Sequence, residues 1–287
     1  MNRLPASIEI VPKQALESAD LPGLFPRGTR VYITDIGTDT ADDLTAAARR
    51  VQDLGYTPVP HFACRRLTTR ASLEERVKRA ATEAGVTDVL VIGGGLDKPA
   101  GEFASAMEVL NTGVFERNGI TAMGVAGHPE GSPDFPEHSA IEALRDKQAF
   151  AERTGIKVRI VTQFGFDAEG FVAWAGKLRA EGIDLPVHLG VAGPAKIPTL
   201  IKYAAMCGVG NSIDFLKRNA MSLTALAVGH NPEDVVAPIE ASSQRSDSAI
   251  TQIHVFPFGG LKKSAEWLIG RGSWDIKTSA YPSTLSA

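Results

Sequence analysis

The feature that most constrains this sequence is a repeated alternation between short apolar runs and longer segments of helical period. Such alternation is typical of βαβ units, in which crossover helices join parallel strands. The predicted strands are Ser7–Val11, Val31–Thr34, Thr57–Ala63, Asp88–Ile92, Ile120–Val125, Val158–Gln163, Val187–Val191 and Ile253–Phe256. The predicted helices lie at about 39–55, 72–85, 103–110, 139–153, 168–182, 197–206, 212–228 and 261–269.

Local signals support the ends of two of these helices. Asp39 or Thr40 is expected to cap the helix that follows the second strand, since both side chains can accept a backbone N–H. Ser72, with Glu75 three residues later, predicts a capping box at the start of the next helix, and Gly85 is expected to end it.

The number of these units decides the domain organisation. By length alone, 287 residues fit two domains of about 150 residues, or one (β/α)8 barrel of about 250 residues. Eight strands with their helices use nearly the whole chain, and no Gly/Ser-rich linker divides it. The sequence therefore predicts an α/β fold, a single (β/α)8 TIM barrel over 1–287, with a peripheral C-terminal tail at about 270–287.

Composition excludes several classes of partner. The chain has 30 Lys and Arg against 33 Asp and Glu, without a long block of either sign, which argues against a nucleic-acid partner. No apolar run approaches the roughly 20 residues that cross a bilayer, and prolines interrupt the N-terminus where a signal peptide would be apolar. Two distant cysteines suit a reducing compartment. We therefore expect a cytoplasmic protein without a membrane partner.

Polar residues near the carboxyl ends of the strands are the first site candidates, because (β/α)8 barrels build their sites there. Glu9 stands inside the first apolar run. A carboxylate inside a barrel is costly unless it is paired or protonated. Glu9 is therefore either a general acid with a raised pKa, or a residue that pairs with a barrel Arg or Lys or points outward.

Two further strands end on polar residues, and a stiff loop follows the fifth strand. His61 near the end of the third strand is either structural or catalytic, whereas the amide of Gln163 suits the edge of a heteroaromatic ring. His128 and Glu130 share a loop shaped by Gly and Pro, as ligand-contacting loops often are. These two residues supply at most two metal ligands, so no metal site is predicted.

The loop after the fourth strand and the helix after the fifth offer possible phosphate contacts. The glycines Gly93, Gly94 and Gly95 allow either close approach of a ligand to the backbone or a tight turn. Arg145 and Lys147 either contact a pyrophosphate or form a solvated helix face. No nucleophile elbow for acyl transfer and no strand lysine for Schiff-base chemistry is present.

These residues, in this order, resemble the methylenetetrahydrofolate reductase family, as a short member that carries only the catalytic barrel. Four stretches carry the resemblance, and the last of them is the most specific: Ser7–Pro12, Pro60-His61, His128-Pro129-Glu130 and Val161–Asp167. The resemblance implies that FAD lies across the strand ends and that NADH or NADPH reduces it. The reduced flavin then passes hydride to 5,10-methylenetetrahydrofolate, which gives 5-methyltetrahydrofolate.

The resemblance also implies a role for each candidate residue. Glu9 would protonate the folate N10, and Gln163 would hold the pterin edge. Phe256 stands where the family has a tyrosine at the eighth strand, and Gly260 stands at about the position of its downstream arginine. Phe256 would contact the folate, and Lys262 or Lys263 would supply the cation for the folate's glutamyl carboxylate. The implied FAD contacts are Thr34, His61, Gly94, Gly95, His128, Lys147 and Arg145.

One departure concerns the flavin itself, because Gly95 stands where the family has an aspartate beside flavin and folate. Asp97 replaces that aspartate only if the loop takes another route. Loss of the charge would change flavin retention or the favoured direction of reaction.

The sequence thus predicts a flavin-dependent oxidoreductase of one-carbon metabolism that acts on a folate. Two alternatives stay open: another barrel enzyme of pterin chemistry that transfers methyl groups without FAD, and a non-catalytic protein that binds folate or flavin. A homo-oligomeric state also stays open.

Overall fold

Eight parallel strands close into a barrel in chain order, with the first strand paired to the last. The structure is a computed structural model that describes residues 3–132, 135–209, 212, 216, 229–244 and 248–275. The strands are β1 Ala6–Ile10, β2 Arg30–Ile33, β3 Thr57–Ala63, β4 Asp88–Ile92, β5 Ala122–Gly127, β6 Lys157–Gly165, β7 Val187–Ala192 and β8 Ile250–Phe256. The predicted (β/α)8 barrel is confirmed.

Helices alternate with the strands and surround the barrel. The described helices are α1 Pro12–Glu17, α2 Ala41–Asp53, α3 Arg70–Ala84, α4 Ala106–Leu110, α5 Val114–Arg117, α6 Glu137–Thr154, α7 Ala168–Ala180, α8 Ile197–Met206, α9 Glu233–Ser243 and α10 Leu261–Gly270. The predicted helical stretch 212–228 lies outside the described residues, except for Ser212 and Leu216.

Helix α2 shows how the sequence forms the outer layer. Thr40 caps it by accepting the Asp43 N–H at 3.1 Å, while the Asp43 carboxylate accepts the Thr40 N–H at 3.0 Å. Leu44, Ala48 and Val51 recur at helical spacing and are buried against the strands. This pairing selects Thr40 over Asp39 as the cap.

The predicted start of α3 is wrong by one turn. Thr69, not Ser72, is the N-cap, since its hydroxyl accepts the Ser72 N–H at 3.1 Å. Ser72 is the reciprocal partner, and its hydroxyl accepts the Thr69 N–H at 3.2 Å. A serine can be the N-cap of a capping box or the residue three positions after it. The pair Ser72 and Glu75 therefore predicted a start three residues later than the actual N-cap, Thr69. Gly85 ends the helix as expected, with φ of 63°.

The start of the predicted C-terminal tail differs from expectation. The Trp274 side chain is buried, and its indole N–H donates to the Ala6 carbonyl at 3.0 Å. Arg271 is also buried and pairs with Glu233 and Glu240 of α9. The described part of the tail, up to Asp275, therefore packs against the start of β1 and against α9, because its tryptophan and arginine find partners there.

Two separate apolar clusters occupy the fold. A large one fills the space between the barrel and its helices. A small one lies inside the barrel and contains Tyr32, Val59, Leu90 and Val161. Within the described ranges, no helix is long and apolar enough to span a membrane.

Candidate active site

The predicted strand-end residues gather at one rim of the barrel. In a parallel barrel all strands finish at the same face, and side chains there point into a shared opening. The residues on or directly after the carboxyl-terminal halves of their strands are Glu9 of β1, Thr34 after β2, His61 of β3, Gln163 of β6 and Phe256 of β8. We call these residues and the space between them the mouth.

Glu9 points into the barrel. Its Oε2 lies 3.7 Å from His61 Nε2, and β3 is not a neighbour of β1 in the sheet, so the two side chains meet inside. The same oxygen lies 3.3 Å from Nε2 of His254 on β8. Its partners among the described residues are therefore two imidazoles. Among the described residues, the Glu9 carboxyl group does not pair with an Arg or Lys, and it does not point outward.

His61 is neutral at the mouth at neutral pH. Burial lowers the pKa of its ring, and the nearby Glu9 carboxylate opposes this in smaller part. At 3.7 Å from Glu9, His61 Nε2 is too distant for a hydrogen bond, and it has no other hydrogen-bond partner among the described residues. A buried ring nitrogen without a partner is costly unless a ligand or water meets it.

Thr34 presents a second buried polar atom of this kind. Its N–H donates to the Ile10 carbonyl at 3.0 Å, which fixes the chain after β2 beside β1. Its hydroxyl has no hydrogen-bond partner in the described part of the chain. Thr34 and His61 together leave hydrogen-bonding capacity at the mouth for a ligand with polar edges.

His254 and Ser7 are site residues that sequence reasoning missed. His254 is completely buried, and its Nδ1 lies 3.0 Å from the Ser7 hydroxyl oxygen. Its ring centroid lies 4.3 Å from that of Tyr32. The signal that could have found both was alternation: Ser7 precedes Glu9 by two residues, and His254 precedes Phe256 by two, so each pair shares a face of its strand.

The glycine loop after β4 leaves open space beside Gly95 and packs closely on β3 at Gly94. Gly94 has φ of 84°, and a side chain on it would approach Ala63 to 3.1 Å. A Cβ on Gly95 would meet no atom of the described residues within 4 Å. Arg65 holds the loop, because its backbone N–H donates to Gly93 and its guanidinium to Leu96, both at 3.0 Å. The backbone is thus fixed and accessible to a ligand.

The structure separates the two candidate phosphate contacts on α6. Lys147 is buried, and burial lowers the pKa of its ammonium group to about 8. Arg145 is exposed and forms an ion pair with Glu181 at the end of α7. The prediction for Arg145 as a cofactor contact is therefore corrected, since its guanidinium binds the neighbouring helix on the outer surface.

The loop after β5 carries two predicted site residues, His128 and Glu130, which have different contacts. His128 is half-buried, and its ring meets the Phe135 ring edge-on at 5.1 Å. Glu130 accepts hydrogen bonds from the Ser212 backbone N–H at 3.1 Å and from its hydroxyl. Glu130 therefore attaches Ser212 to this loop, while the described contact of His128 is with Phe135.

Gln163 and Phe256 lie on opposite sides of β7. Gln163 falls in an irregular stretch of β6, where the pairing with β7 shifts between Val161 and Phe164. Its side-chain oxygen accepts the Phe164 N–H at 3.2 Å, which orients the amide. The Phe256 ring packs on Phe164 at 5.4 Å, so the two strand ends are joined by aromatic contact. Lys262 is exposed in the first turn of α10.

Charged residues fill the opposite end of the barrel interior, and sequence reasoning missed them. Arg159 of β6 donates to Asp88 of β4 at 2.9 Å and to the Tyr32 hydroxyl at 2.8 Å. Arg30 donates to the other Asp88 oxygen at 3.0 Å. Burial raises the pKa of Tyr32 to about 12, so its phenol stays protonated. This group, which we call the floor network, lies below the mouth.

The fold and the mouth define a parallel (β/α)8 barrel with an inward carboxyl group between two imidazoles at the face where such barrels bind ligands. The sequence profile of the family described as methylenetetrahydrofolate reductase matches residues 23–219, more than half of the chain. The chain belongs to the methylenetetrahydrofolate reductase family. His61, His128 and Gln163 lie inside the matched range, whereas Glu9 and His254 lie outside it and rest on their geometry.

Similar proteins support this assignment. Methylenetetrahydrofolate reductase 1 of Schizosaccharomyces pombe is 28% identical over 241 residues, which are 81% of this chain and 38% of that protein. Methylenetetrahydrofolate reductase 2 of Saccharomyces cerevisiae is 27% identical over 159 residues, 52% of this chain and 25% of that protein. The chain thus spans less than two fifths of the length of these relatives.

One solved structure confirms the architecture. It is an uncharacterized protein from Clostridium thermocellum, described as binding two copies of 5-methyl-5,6,7,8-tetrahydrofolic acid. The similarity has a TM-score of 0.57 with 13% identity, and it covers 97% of this chain and 98% of that one. At this identity the likeness establishes a shared fold.

Proposed function

We propose that this barrel interconverts 5,10-methylenetetrahydrofolate and 5-methyltetrahydrofolate, with FAD as the hydride carrier and NADH or NADPH as co-substrate. Family membership supports the substrate class. The observation that carries the proposal is the Glu9 carboxyl group, which lies inside the mouth within 3.7 Å of His61 and 3.3 Å of His254. Such a group is placed to exchange a proton with a bound ligand.

Glu9 acts as the general acid in the reductive direction. Its proton goes to the folate N10, the bond between N10 and the methylene carbon breaks, and a cationic iminium at N5 accepts hydride. In the oxidative direction Glu9 accepts the same proton back. The neutral ring of His61 adds no positive charge beside this cation, which favours the iminium.

The residues at the mouth suit a flavin. Thr34 and His61 have buried polar atoms without a hydrogen-bond partner in the described structure. A Cβ on Gly95 would meet no described atom within 4 Å, and Lys147 is a buried cation on α6, the helix that follows the β5 loop. These residues, with His128, would hold FAD, with Lys147 at the pyrophosphate. The bound flavin supplies hydride transfer between the nicotinamide and the folate.

Gln163, Phe256 and Lys262 hold the folate. The Gln163 side-chain oxygen is anchored on Phe164, which leaves its NH2 group to donate to a ring edge. The half-buried Phe256 ring offers an apolar face to the folate. Lys262 lies exposed after β8 and suits the folate's glutamyl carboxylate.

The substitution Glu9→Gln tests the acid directly. Removing the transferable proton should lower folate turnover at least a hundredfold, while flavin affinity stays within about twofold, since general acid catalysis contributes 10² or more. Turnover and flavin fluorescence are measured on the same samples. Glu17→Gln, the same change on an exposed residue of α1, is the control. Wild-type turnover in Glu9→Gln would show that the acid is elsewhere.

Flavin content discriminates this function from its alternatives. Methyl transfer on the same folate without bound flavin would identify a pterin-dependent transferase. Tight folate binding without turnover, with either nicotinamide or an artificial acceptor, would identify a binding protein.

A further inference from the structure

The proposed function leaves one ligand, the nicotinamide dinucleotide, without an assigned residue. We propose that Arg66 binds a phosphate group of this dinucleotide and that Ile36 offers an apolar surface to one of its rings. The proposal rests on the proposed function, because it takes the dinucleotide as the ligand that meets the flavin at the mouth.

Arg66 lies at the carboxyl end of β3, on the face of the barrel that holds the mouth. It ends a short 3-10 turn, Cys64–Arg66, which follows β3 directly. Its guanidinium packs against Gly37 in the loop after β2, since a Cβ on Gly37 would lie 2.7 Å from the Arg66 Cζ. Gly37 has φ of 83°, a conformation that glycine adopts readily, and its missing side chain makes room for the arginine.

The two arginines of this turn have different contacts. Arg65 donates to the backbone carbonyls of Leu96 at 3.0 Å and Ala104 at 3.2 Å, so its guanidinium is taken up by the loop after β4. Arg66 is half-buried, and its guanidinium has no hydrogen-bond acceptor and no ion-pair partner among the described residues. Arg66 is therefore the member of the pair whose N–H donors a ligand can use.

The acidic side chains of the loop after β2 have other partners than Arg66. Asp35 is buried and accepts from Arg76 at 2.9 Å. Asp39 accepts from the Thr38 hydroxyl at 3.3 Å. Within the described part of this loop, no carboxylate therefore compensates the Arg66 charge, which is available to an anionic ligand.

The chemistry of this guanidinium suits a phosphate. Its planar fork can donate two parallel hydrogen bonds to phosphate oxygens, and such charge-assisted bonds are strong. Because Arg66 already packs on Gly37, it loses less side-chain freedom on binding than an unsupported arginine would. The chain carries a net charge of -3, so its overall field does not attract an anionic dinucleotide, and a local cation has to do so.

Ile36 is a second, independent feature of the same loop. Its side chain is 53% exposed, and it directly precedes Gly37. Among the described residues, the other large exposed apolar side chain is Met206, at the end of α8. Ligand sites combine apolar surface with a few polar groups, and a nucleotide carries both an apolar ring face and a phosphate. Ile36 and Arg66 offer this combination on two adjoining loops.

The position of Arg66 favours the dinucleotide over the other two anionic ligands. The proposed contact for the FAD pyrophosphate is Lys147, on the helix after β5, and that for the folate carboxylate is Lys262, after β8. Neither β5 nor β8 is a neighbour of β3 in the barrel. Thr34 and His61, the proposed flavin contacts, belong to the ends of β2 and β3, whose loops Arg66 joins. A dinucleotide that brings its nicotinamide to the flavin reaches these two loops.

Arg66→Gln tests the phosphate contact by binding alone. Isothermal titration calorimetry with NADP⁺ and NAD⁺, which do not react with oxidised FAD, is carried out with and without FAD. Loss of the charged donors should weaken dinucleotide binding about tenfold to a hundredfold, while FAD affinity stays within about twofold. Weakening for NADP⁺ alone assigns the 2′-phosphate, and weakening for both assigns the pyrophosphate. Arg49→Gln, at an exposed position of α2, is the control.

Gly37→Ala tests the placement of the arginine, because a Cβ there would displace the guanidinium without removing it. We expect it to weaken NADP⁺ binding at least threefold. Gly28→Ala is the matched control, since Gly28 has φ of 76° and a Cβ on it would meet no described atom within 4 Å. Equal affinity in these two variants would contradict the placement.

Ile36→Ser tests the apolar surface. It should weaken dinucleotide binding about threefold to tenfold through lost apolar burial, while Met206→Ser, the same change at the other exposed apolar residue, should not. Equal affinity in these two variants would contradict the role of Ile36.

Three results would overturn the phosphate contact: unchanged affinity for both dinucleotides in Arg66→Gln, a loss confined to FAD, or wild-type protein that binds neither dinucleotide. Folate turnover by wild-type protein in any of these cases would leave the proposed function standing. If the protein binds no flavin and turns over no folate, the proposed function fails, whereas the titrations without FAD still decide on Arg66.

Discussion

At the scale of single residues, the mouth is built from buried polar atoms whose needs the protein does not fully meet. Thr34 and His61 have buried polar atoms without a hydrogen-bond partner among the described residues, and Lys147, outside the mouth, is a buried lysine on α6. A buried polar atom without a partner is destabilising unless a ligand or a water molecule meets it. Arg145 differs from these residues, because its guanidinium is paired with Glu181.

Lys147 gives a prediction with a defined pH dependence. Burial lowers its pKa to about 8, so the charge that attracts a phosphate is present below that pH and is lost above it. FAD affinity should therefore fall as the pH rises through about 8. Lys147→Met should weaken FAD binding about tenfold to a hundredfold at pH 7 and remove the pH dependence. Fluorescence titration with FAD measures both effects.

Arg145→Gln is the matched control for Lys147, since both lie on α6 and both carry a positive charge. Its FAD affinity should equal that of the wild type. A larger loss in Arg145→Gln than in Lys147→Met would reverse the assignment of the pyrophosphate contact.

The sequence revealed some of these residues and hid others for a physical reason. Glu9 was detectable because a carboxylate in an apolar strand is costly, and its burial needs an explanation. His254 lies in an equally apolar strand, but a histidine ring is tolerated in a core. Its presence in that strand therefore did not indicate a site residue. Distances to Ser7 and Glu9 exist only after the barrel closes β8 onto β1.

At the scale of elements, strands were predicted better than helices. The bounds of β3 and β4 agree with the prediction, because a buried parallel strand reads as a continuous apolar run. The short α1, which begins at Pro12, and α9, which contains Pro238, were not predicted. Proline within a helix breaks the signal that periodicity would give.

The contact between β6 and β7 depends on Gly190. A Cβ there would lie 2.5 Å from the Thr162 carbonyl oxygen and 2.7 Å from the Gln163 carbonyl carbon, both of them backbone atoms. Gly190→Ala should therefore push β6 away, displace Gln163, lower the melting temperature and weaken folate binding. Thermal unfolding and folate titration measure these losses.

Gly176 in α7 is the control for Gly190, because a Cβ at that position would meet no atom within 4 Å in the part of the chain that the structure describes. Gly176→Ala should raise stability by about 0.5–1 kcal/mol, the helix propensity gain, and leave folate binding unchanged. A Gly190→Ala protein as stable as the wild type would show that β6 can move without cost.

At the scale of the whole molecule, the barrel interior carries two polar groups with different roles. The floor network joins β2, β4 and β6 across the interior and has most of its hydrogen bonds satisfied. At the mouth, Glu9 of β1 meets His61 of β3 and His254 of β8. Counting eight strand and helix pairs predicted closure. It could not predict which charged side chains meet across the interior, since such pairs are distant in sequence.

Asp88 tests the structural role of the floor network. Asp88→Asn removes the charge that compensates Arg159 and Arg30, and breaking a buried pair costs about 3–5 kcal/mol. Urea unfolding should show a lower free energy of unfolding by this amount. Asp184→Asn, which removes an exposed partner of Arg179, should leave the free energy unchanged. Equal stability of the two variants would mean that the floor network adds nothing to the fold.

The measurement that tests the central claim most directly is an anaerobic assay in both directions with flavin content determined on the same sample. The account predicts that protein saturated with FAD converts 5,10-methylenetetrahydrofolate to 5-methyltetrahydrofolate with NADH or NADPH, or the reverse with an electron acceptor, and that Glu9→Gln does neither. Purified protein that binds no flavin, and turns over neither folate when FAD is supplied, would contradict it.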